Sequence, residues 1–414
     1  MGFSINFERL KQNINELAQI GKYEDGGIYR MAFTAEEQEA RKWLLNKLKA
    51  SGVKVEEDGA LNIIGKLSDH DNSDKPSIVV GSHIDTVPNA GALDGALGVL
   101  IGMECLTRIK EEGIKTSYPL ELVSFSDEEG RFGGMFGSRA FSGQINPGII
   151  EQSKDLYGNS LFEALKSIEH DPYLALEASR EKSSIKYFIE LHIEQGPVLD
   201  TENSSVGIVT DITGLFKWQV RLTGVSNHAG TTPMELRRDA FMGLADFAHE
   251  IPRIIAENGS DSSRITIGNA TLYPGSANTI PGQVEFSIDA RDVNIGVMKE
   301  MQDACRKALS AIARKRDLLF DFEEVSWINP VACDDRIKKS IEKQAKKLNL
   351  SYKIMPSGAA HDAQMISKIS PIGMIFVPSK GGVSHSPNEW TDWHHIESGA
   401  NLMLHTILDL SKSE

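Results

Sequence analysis

The stretch Ile78-Val-Val-Gly-Ser-His-Ile-Asp-Thr-Val-Pro88 limits the fold more than any other part of the chain. An apolar run that ends in His83, Asp85 and a proline reads as a buried strand breaking into a loop at its C-terminal end. In an open α/β sheet, ligands bind at that end of a strand. His83 and Asp85 are two residues apart and so share one face of an extended chain. The loop Gly91-Ala-Leu-Asp-Gly95 follows, and its glycines let Asp94 fold back toward them. A histidine with two carboxylates begins a metal site of nitrogen and oxygen donors. A strand-end histidine capped by a nearby aspartate would look the same, so the rest of the chain must decide.

Two further runs repeat the pattern. Leu120-Glu-Leu-Val-Ser-Phe-Ser126 reads as a strand ending in Asp127-Glu-Glu-Gly130, and Tyr187-Phe-Ile-Glu-Leu-His-Ile193 as another ending in Glu194-Gln-Gly-Pro197. Unrelated core histidines would not deliver metal-competent residues at three strand ends. Apolar spacings of three and four predict amphipathic helices over residues 5–20 and 35–51, the second opened by a Thr34/Glu37 capping box and closed by Gly52. A strand pair is expected through Asp58-Gly59, a charged surface turn over 69–75, and helices over 97–110 and 160–181.

From about residue 212 the pattern becomes alternating strands and two helices in the order β-α-β-β-α-β, which predicts a ferredoxin-like α+β domain. The first pattern resumes with a helix over 334–348, the His361 region, a strand over 371–377, His385 and a terminal helix. The expected division is therefore 1–211 and 329–414 for one α/β domain, interrupted by a domain over 212–328. A chain of 414 residues exceeds what one core usually serves.

Composition narrows the function classes. A net charge of −14 argues against nucleic acid and anionic membrane surfaces as partners. No run of 18 apolar residues predicts a membrane span, and the first residues lack the basic flank and apolar core of a secretory leader. Cys105, Cys305 and Cys333 are scattered and form no CxxC, as expected of a cytoplasmic protein.

The candidate metal ligands are His83, Asp94, Glu129, His192 and His385. Nitrogen and oxygen donors without sulfur suit zinc, with manganese, cobalt or nickel as alternatives. Five ligands exceed the three or four of one catalytic ion, which points to two ions bridged by a carboxylate, with Asp94 on its glycine loop as the natural bridge. Asp85 is placed to orient His83 through its other ring nitrogen. Glu128 and Glu129 are adjacent, so their side chains diverge; one can bind metal while the other faces substrate as general base.

Gly81-Ser-His-Ile-Asp-Thr-Val-Pro88, Asp94-Gly-Ala-Leu-Gly-Val99, Ser126-Asp-Glu-Glu-Gly-Arg-Phe132, Leu191-His-Ile-Glu-Gln-Gly-Pro197 and Asn227-His-Ala-Gly-Thr-Thr-Pro-Met234 carry a resemblance. Together they resemble the N-carbamoyl-L-amino-acid hydrolase and allantoate amidohydrolase family, of the dinuclear-zinc aminoacylase and carboxypeptidase group. The likeness runs from about residue 9 to residue 408. It implies a metallopeptidase-like catalytic domain, with a mixed sheet flanked by helices, and a lid and dimerisation role for the inserted domain. It also implies that His83, Asp94 and His192 hold one ion and Asp94, Glu129 and His385 the other, with Glu128 as general base and Asp85 as orienter. His228 resembles the family histidine that reaches into the partner subunit's site of a homodimer and stabilises the oxyanion. Asn278 and Arg291 resemble contacts to a substrate carboxylate, Gln195 a ureido contact, and Gly358 part of a pocket-lining loop. One departure is Pro88-Asn-Ala-Gly-Ala-Leu-Asp94, where the family more often has paired glycines before the bridging aspartate.

The expected activity is hydrolysis of the ureido C–N bond of an N-carbamoyl-L-amino acid, yielding the amino acid, carbon dioxide and ammonia. Allantoate is the closest alternative substrate. An N-acyl amino acid deacylase or aminopeptidase, and a metal-binding protein without turnover, are the remaining readings.

Overall fold

The computed structural model describes residues 3–67 and 74–412. The expected turn over 69–75 lies, for its first five residues, outside them. The described chain forms two compact units: one of residues 3–67, 74–210, 333–357 and 361–412, and a second of 211–332 with 358–360.

The first unit is a mixed sheet with flanking helices. Its strands run in the spatial order Lys54–Glu57, Ile63–Leu67, Leu120–Phe125, Ser77–His83, Ile185–Ile193, Ile372–Val377 and Val206–Ile212, with Tyr352–Ser357 also paired to the last. The four central strands are mutually parallel and buried along their whole lengths apart from Lys186. This explains their unbroken apolar reading: helices cover both faces of such a sheet. Register sets the strand ends level. His83 lies beside Phe125, and His192 beside Phe376. The polar residues that follow each strand therefore emerge along one edge.

Helix Ala96–Glu111, almost wholly buried, packs against these strands. It can lie so close because residue 98 is glycine: a Cβ there would stand 2.3 Å from the carbonyl oxygen of Leu191. Helix Ala35–Ala50 starts where the capping box places it, with the Thr34 hydroxyl accepting from the Glu37 amide, and its chain leaves through Gly52 in a left-handed conformation.

Residues 160–181 do not make one helix. An α-helix covers Leu161–Ser167 and a separate 3₁₀ turn Pro172–Glu177. Pro172 has no amide hydrogen to continue the first helix, and the Asp171 side chain instead caps a new start.

In the second unit, strands Leu319–Ile328, Gly214–Thr223 and Gln283–Asp292 lie side by side, and Arg264–Thr266 and Ala270–Tyr273 both pair with the far side of the last. Every pairing is antiparallel, and in chain order the arrangement is 4-1-3-2. Helices Ala240–Asn258 and Ile295–Lys315 pack on one face around Trp218, Phe247 and Phe286. Ala270–Tyr273 is exposed throughout, although its sequence alternates like a half-buried strand.

Candidate metal centre

The loops that follow these strands turn sharply. Asp127, Gln195 and His385 all take left-handed backbone conformations, at φ of 48°, 59° and 52°. Such conformations are costly for residues other than glycine and concentrate at functional sites. The turns gather side chains from four separate loops.

Among the described residues three groups of three have ligand atoms within 4.8 Å of one another: Glu190, His192 and His361 form one, and the other two are His83, Asp94 and His192, and Asp94, Glu129 and His385. Asp94 belongs to both of the latter. Its Oδ1 lies 3.1 Å from His192 Nε2 and 4.0 Å from His83 Nε2, while its Oδ2 lies 3.3 Å from His385 Nε2. Glu129 Oε2 is 3.5 Å from the same nitrogen. Gly95, at the start of the helix after Asp94, has a φ of 61°, and a Cβ there would stand 2.2 Å from the His83 ring. Glycine is required on both counts.

The outward ring nitrogens are set by hydrogen bonds at the opposite one. His83 Nδ1 is 3.0 Å from the Asp85 carbonyl oxygen, and His192 Nδ1 is 2.9 Å from that of Ile193. The Asp85 carboxylate stands farther from His83, at 3.7 Å, and accepts instead from the amides of Glu128 and Glu129. Asp85 thus steers His83 through its main chain and the paired glutamates through its side chain. Glu128 Oε2 lies 3.5 Å from His83 Nε2.

These residues have the chemistry of a cation site. Asp85, Asp94, Glu190, Asp362 and Glu389 are buried, and Glu128 and Glu129 nearly so. Burial, reinforced by neighbouring acids, pushes Glu128 and Glu129 far above the usual carboxylate range. Burial, with the nearby His192 and His385 rings, drives His83 down to about 4 against the pull of Asp94. At His192 burial pulls the ring down, but Asp94, Glu190 and the Ile193 carbonyl together raise it to about 9. So much buried negative charge is costly without positive charge among it. Glu129 Oε1 and Gln195 Oε1 are buried and have no hydrogen-bond partner. Divalent ions shared by these donors would supply what is missing.

Beside this geometry stand the comparisons with known proteins. The model of peptidase family M20/M25/M40 matches residues 79–409. The chain belongs to this family. An N-carbamoyl-L-amino acid amidohydrolase of Geobacillus stearothermophilus is 40% identical over 413 residues, which are 99% of this chain and 100% of that one. An allantoate amidohydrolase of Bacillus subtilis is 36% identical, covering 96% of each chain. Among solved structures, an amidase of the hydantoinase/carbamoylase family from Burkholderia multivorans superposes with a TM-score of 0.91 at 32% identity, over 99% of both chains.

In this M20-family chain Gln195 donates from Nε2 to Asp94 Oδ2 at 2.8 Å, beside the ligand-type residues. The other residues expected to meet substrate lie in the second unit. His228 is exposed, and its Nδ1 accepts from the amides of Gly230 and Thr231, which leaves Nε2 as the free end of the ring. Asn278 accepts at its main-chain oxygen from the Ala229 amide, one residue from His228. Arg291 is held by Asp289 and donates to the Gly358 carbonyl at 2.9 Å.

The chain's remaining histidines, and Arg238 and Trp218, lie outside the two groups that share Asp94. His361 is buried against Ser357, with its ring 4.6 Å from that of His192. His170 meets the Gly59 carbonyl, His405 that of Phe3, and His394 and His395 stack on each other. His249 is exposed, Arg238 pairs with Asp317, and Trp218 is core. Ser384, Glu389 and Glu190 were not anticipated. Nothing but nearness to His385 and His192 in the sequence marks them.

Proposed function

We propose that the chain is a metal-dependent amidohydrolase that cleaves the ureido C–N bond of an N-carbamoyl-L-amino acid. The observation that carries this is Asp94, shared between two histidine–carboxylate groups at one sheet edge, in a chain 40% identical to an N-carbamoyl-L-amino acid amidohydrolase. His83, Asp94 and His192 would hold one divalent ion, zinc by donor type, and Asp94, Glu129 and His385 a second. Bound there, such ions polarise the carbamoyl carbonyl and ease deprotonation of water.

The chain's own residues supply the rest. Glu128, its backbone fixed by Asp85, takes the proton of the attacking water and passes it to the amino-acid nitrogen as the C–N bond breaks. The carbamic acid released decomposes to carbon dioxide and ammonia. Arg291 and Asn278 receive the α-carboxylate, and Arg291 offers the planar fork that suits it. Gln195 receives the ureido group, and the Gly358 loop lines the pocket. The free Nε2 of His228 donates to the developing oxyanion in the partner subunit of a homodimer. In support of dimerisation, Ala270–Tyr273 leaves Leu272 and Tyr273 exposed at a sheet edge, which monomeric proteins usually blunt. On this reading the second unit also serves as a lid. Cys105, Cys305 and Cys333 are buried thiols, which suits a reducing cytoplasm. Among the described residues no helix is long and apolar enough to cross a membrane.

Allantoate carries the same carboxylate and ureido groups, and the Bacillus subtilis relative gives it equal standing as a test compound. Ammonia release should be measured with a panel of N-carbamoyl-L-amino acids and with allantoate, each with and without EDTA. Higher kcat/KM on a carbamoyl amino acid, lost with the chelator and restored by zinc or manganese, is expected. Preference for allantoate would reassign the substrate, and no turnover by metal-loaded protein would overturn the proposal.

A further inference from the structure

Glu389 is buried, 4% exposed, yet it lies in a loop that supplies none of the expected catalytic groups beyond His385. Its Oε1 accepts from two consecutive amides of the opposing loop, Leu93 at 2.9 Å and Asp94 at 3.0 Å. Its Oε2 lies 3.1 Å from the Ser384 hydroxyl, and that hydroxyl is 2.8 Å from Asp94 Oδ2. The two loops close on each other so tightly that a Cβ at Gly91 would stand 2.4 Å from the Glu389 Cβ. One carboxylate thus fastens the main chain of the Asp94 loop, and one hydroxyl, next to His385, reaches both Asp94 and Glu389.

We propose that Glu389 is a positioning residue for the metal centre, clasping the Asp94 and His385 loops together through the Leu93 and Asp94 amides and Ser384. Asp94 and His385 stand 3.3 Å apart on different loops. Without a clasp, an ion would have to order both loops as it bound, and its affinity would fall by that ordering cost. Partners of this outer kind commonly change metal affinity by about 10- to 100-fold. The inference rests on the assignment of Asp94 and His385 as ligands.

The test is zinc affinity, by competition with a chromophoric chelator, for the unsubstituted protein, Glu389→Ala, Glu389→Gln and Ser384→Ala. Thermal unfolding of the metal-free forms runs alongside. Glu389→Ala should bind zinc about 10- to 100-fold more weakly. Glu389→Gln, whose amide oxygen still accepts from Leu93 and Asp94, should recover most of that loss. Ser384→Ala should fall between them, and it carries the test if Glu389→Ala does not fold. At saturating zinc kcat should return while KM stays unchanged. Unaltered zinc affinity in both Glu389→Ala and Ser384→Ala would overturn the clasp alone. Failure of the unsubstituted protein to bind zinc would overturn the ligand assignment beneath it.

Discussion

Asp94 presents its two carboxylate oxygens to two different sets of histidines, so its removal should have consequences that no other single substitution reproduces. Under the proposed assignment, Asp94→Asn disrupts both ion sites and His385→Ala one. Elemental analysis of zinc-loaded, desalted protein should find about two ions in the unsubstituted chain, about one in His385→Ala and fewer in Asp94→Asn. A full complement in Asp94→Asn would remove Asp94 from the bridging position. Residues of this kind were readable because their chemistry is out of place: histidines and acids following apolar runs. Glu389 was not readable. Its partners are backbone amides of a loop nearly three hundred residues away, and nothing in a sequence marks which amide a glutamate will meet. Asp85 was partly readable: its place beside His83 was evident, but the division of labour between its carbonyl and its carboxylate depends on loop geometry.

At the scale of single elements, the central strands were legible because burial on both faces leaves an uninterrupted apolar signature. Ala270–Tyr273 was misleading, since its alternation belongs to an exposed edge. The region 160–181 failed for a local reason: the chain leaves the helix after Ser167, with Glu169 at a φ of 61°, and Pro172 opens a separate 3₁₀ turn. Helix Ala35–Ala50 offers a test of how its first turn is built. Glu37 is buried, and desolvation raises its carboxyl to about 6 despite Arg41 at 3.6 Å. A carboxyl raised above its unfolded value makes the fold bind the proton more tightly than the unfolded chain. Stability attributable to Glu37 therefore declines as pH rises from about 4.5 to about 6, by on the order of 2 kcal/mol, and stays lowered above that. Glu37→Gln does not titrate. Denaturant unfolding at about pH 4 and about pH 7 should show the substituted protein gaining on the unsubstituted one by that order. A difference that does not change with pH would mean that burial leaves the Glu37 carboxyl titrating as it does in the unfolded chain.

For the whole molecule, the change of pattern near residue 212 falls close to where the second compact unit begins, and that unit's strands lie in the order 4-1-3-2. Inclusion of 358–360 in the second unit could not be foreseen, because that tripeptide lies far from it in the sequence. The proposed action of His228 across a dimer gives a test at this scale. His228→Ala and Glu128→Gln proteins should each be nearly inactive, and mixing them under conditions of subunit exchange should restore activity, since a hybrid dimer carries one intact composite site. Mixtures that form hybrids yet stay inactive would confine His228 to its own subunit.

The role of Glu128 as general base is tested by ammonia release from an N-carbamoyl-L-amino acid by Glu128→Gln, with zinc content determined on the same sample. Zinc content and unfolding temperature should be unchanged, with kcat lowered by about 10²- to 10⁴-fold. Turnover close to that of the unsubstituted protein, with zinc bound, would contradict that role.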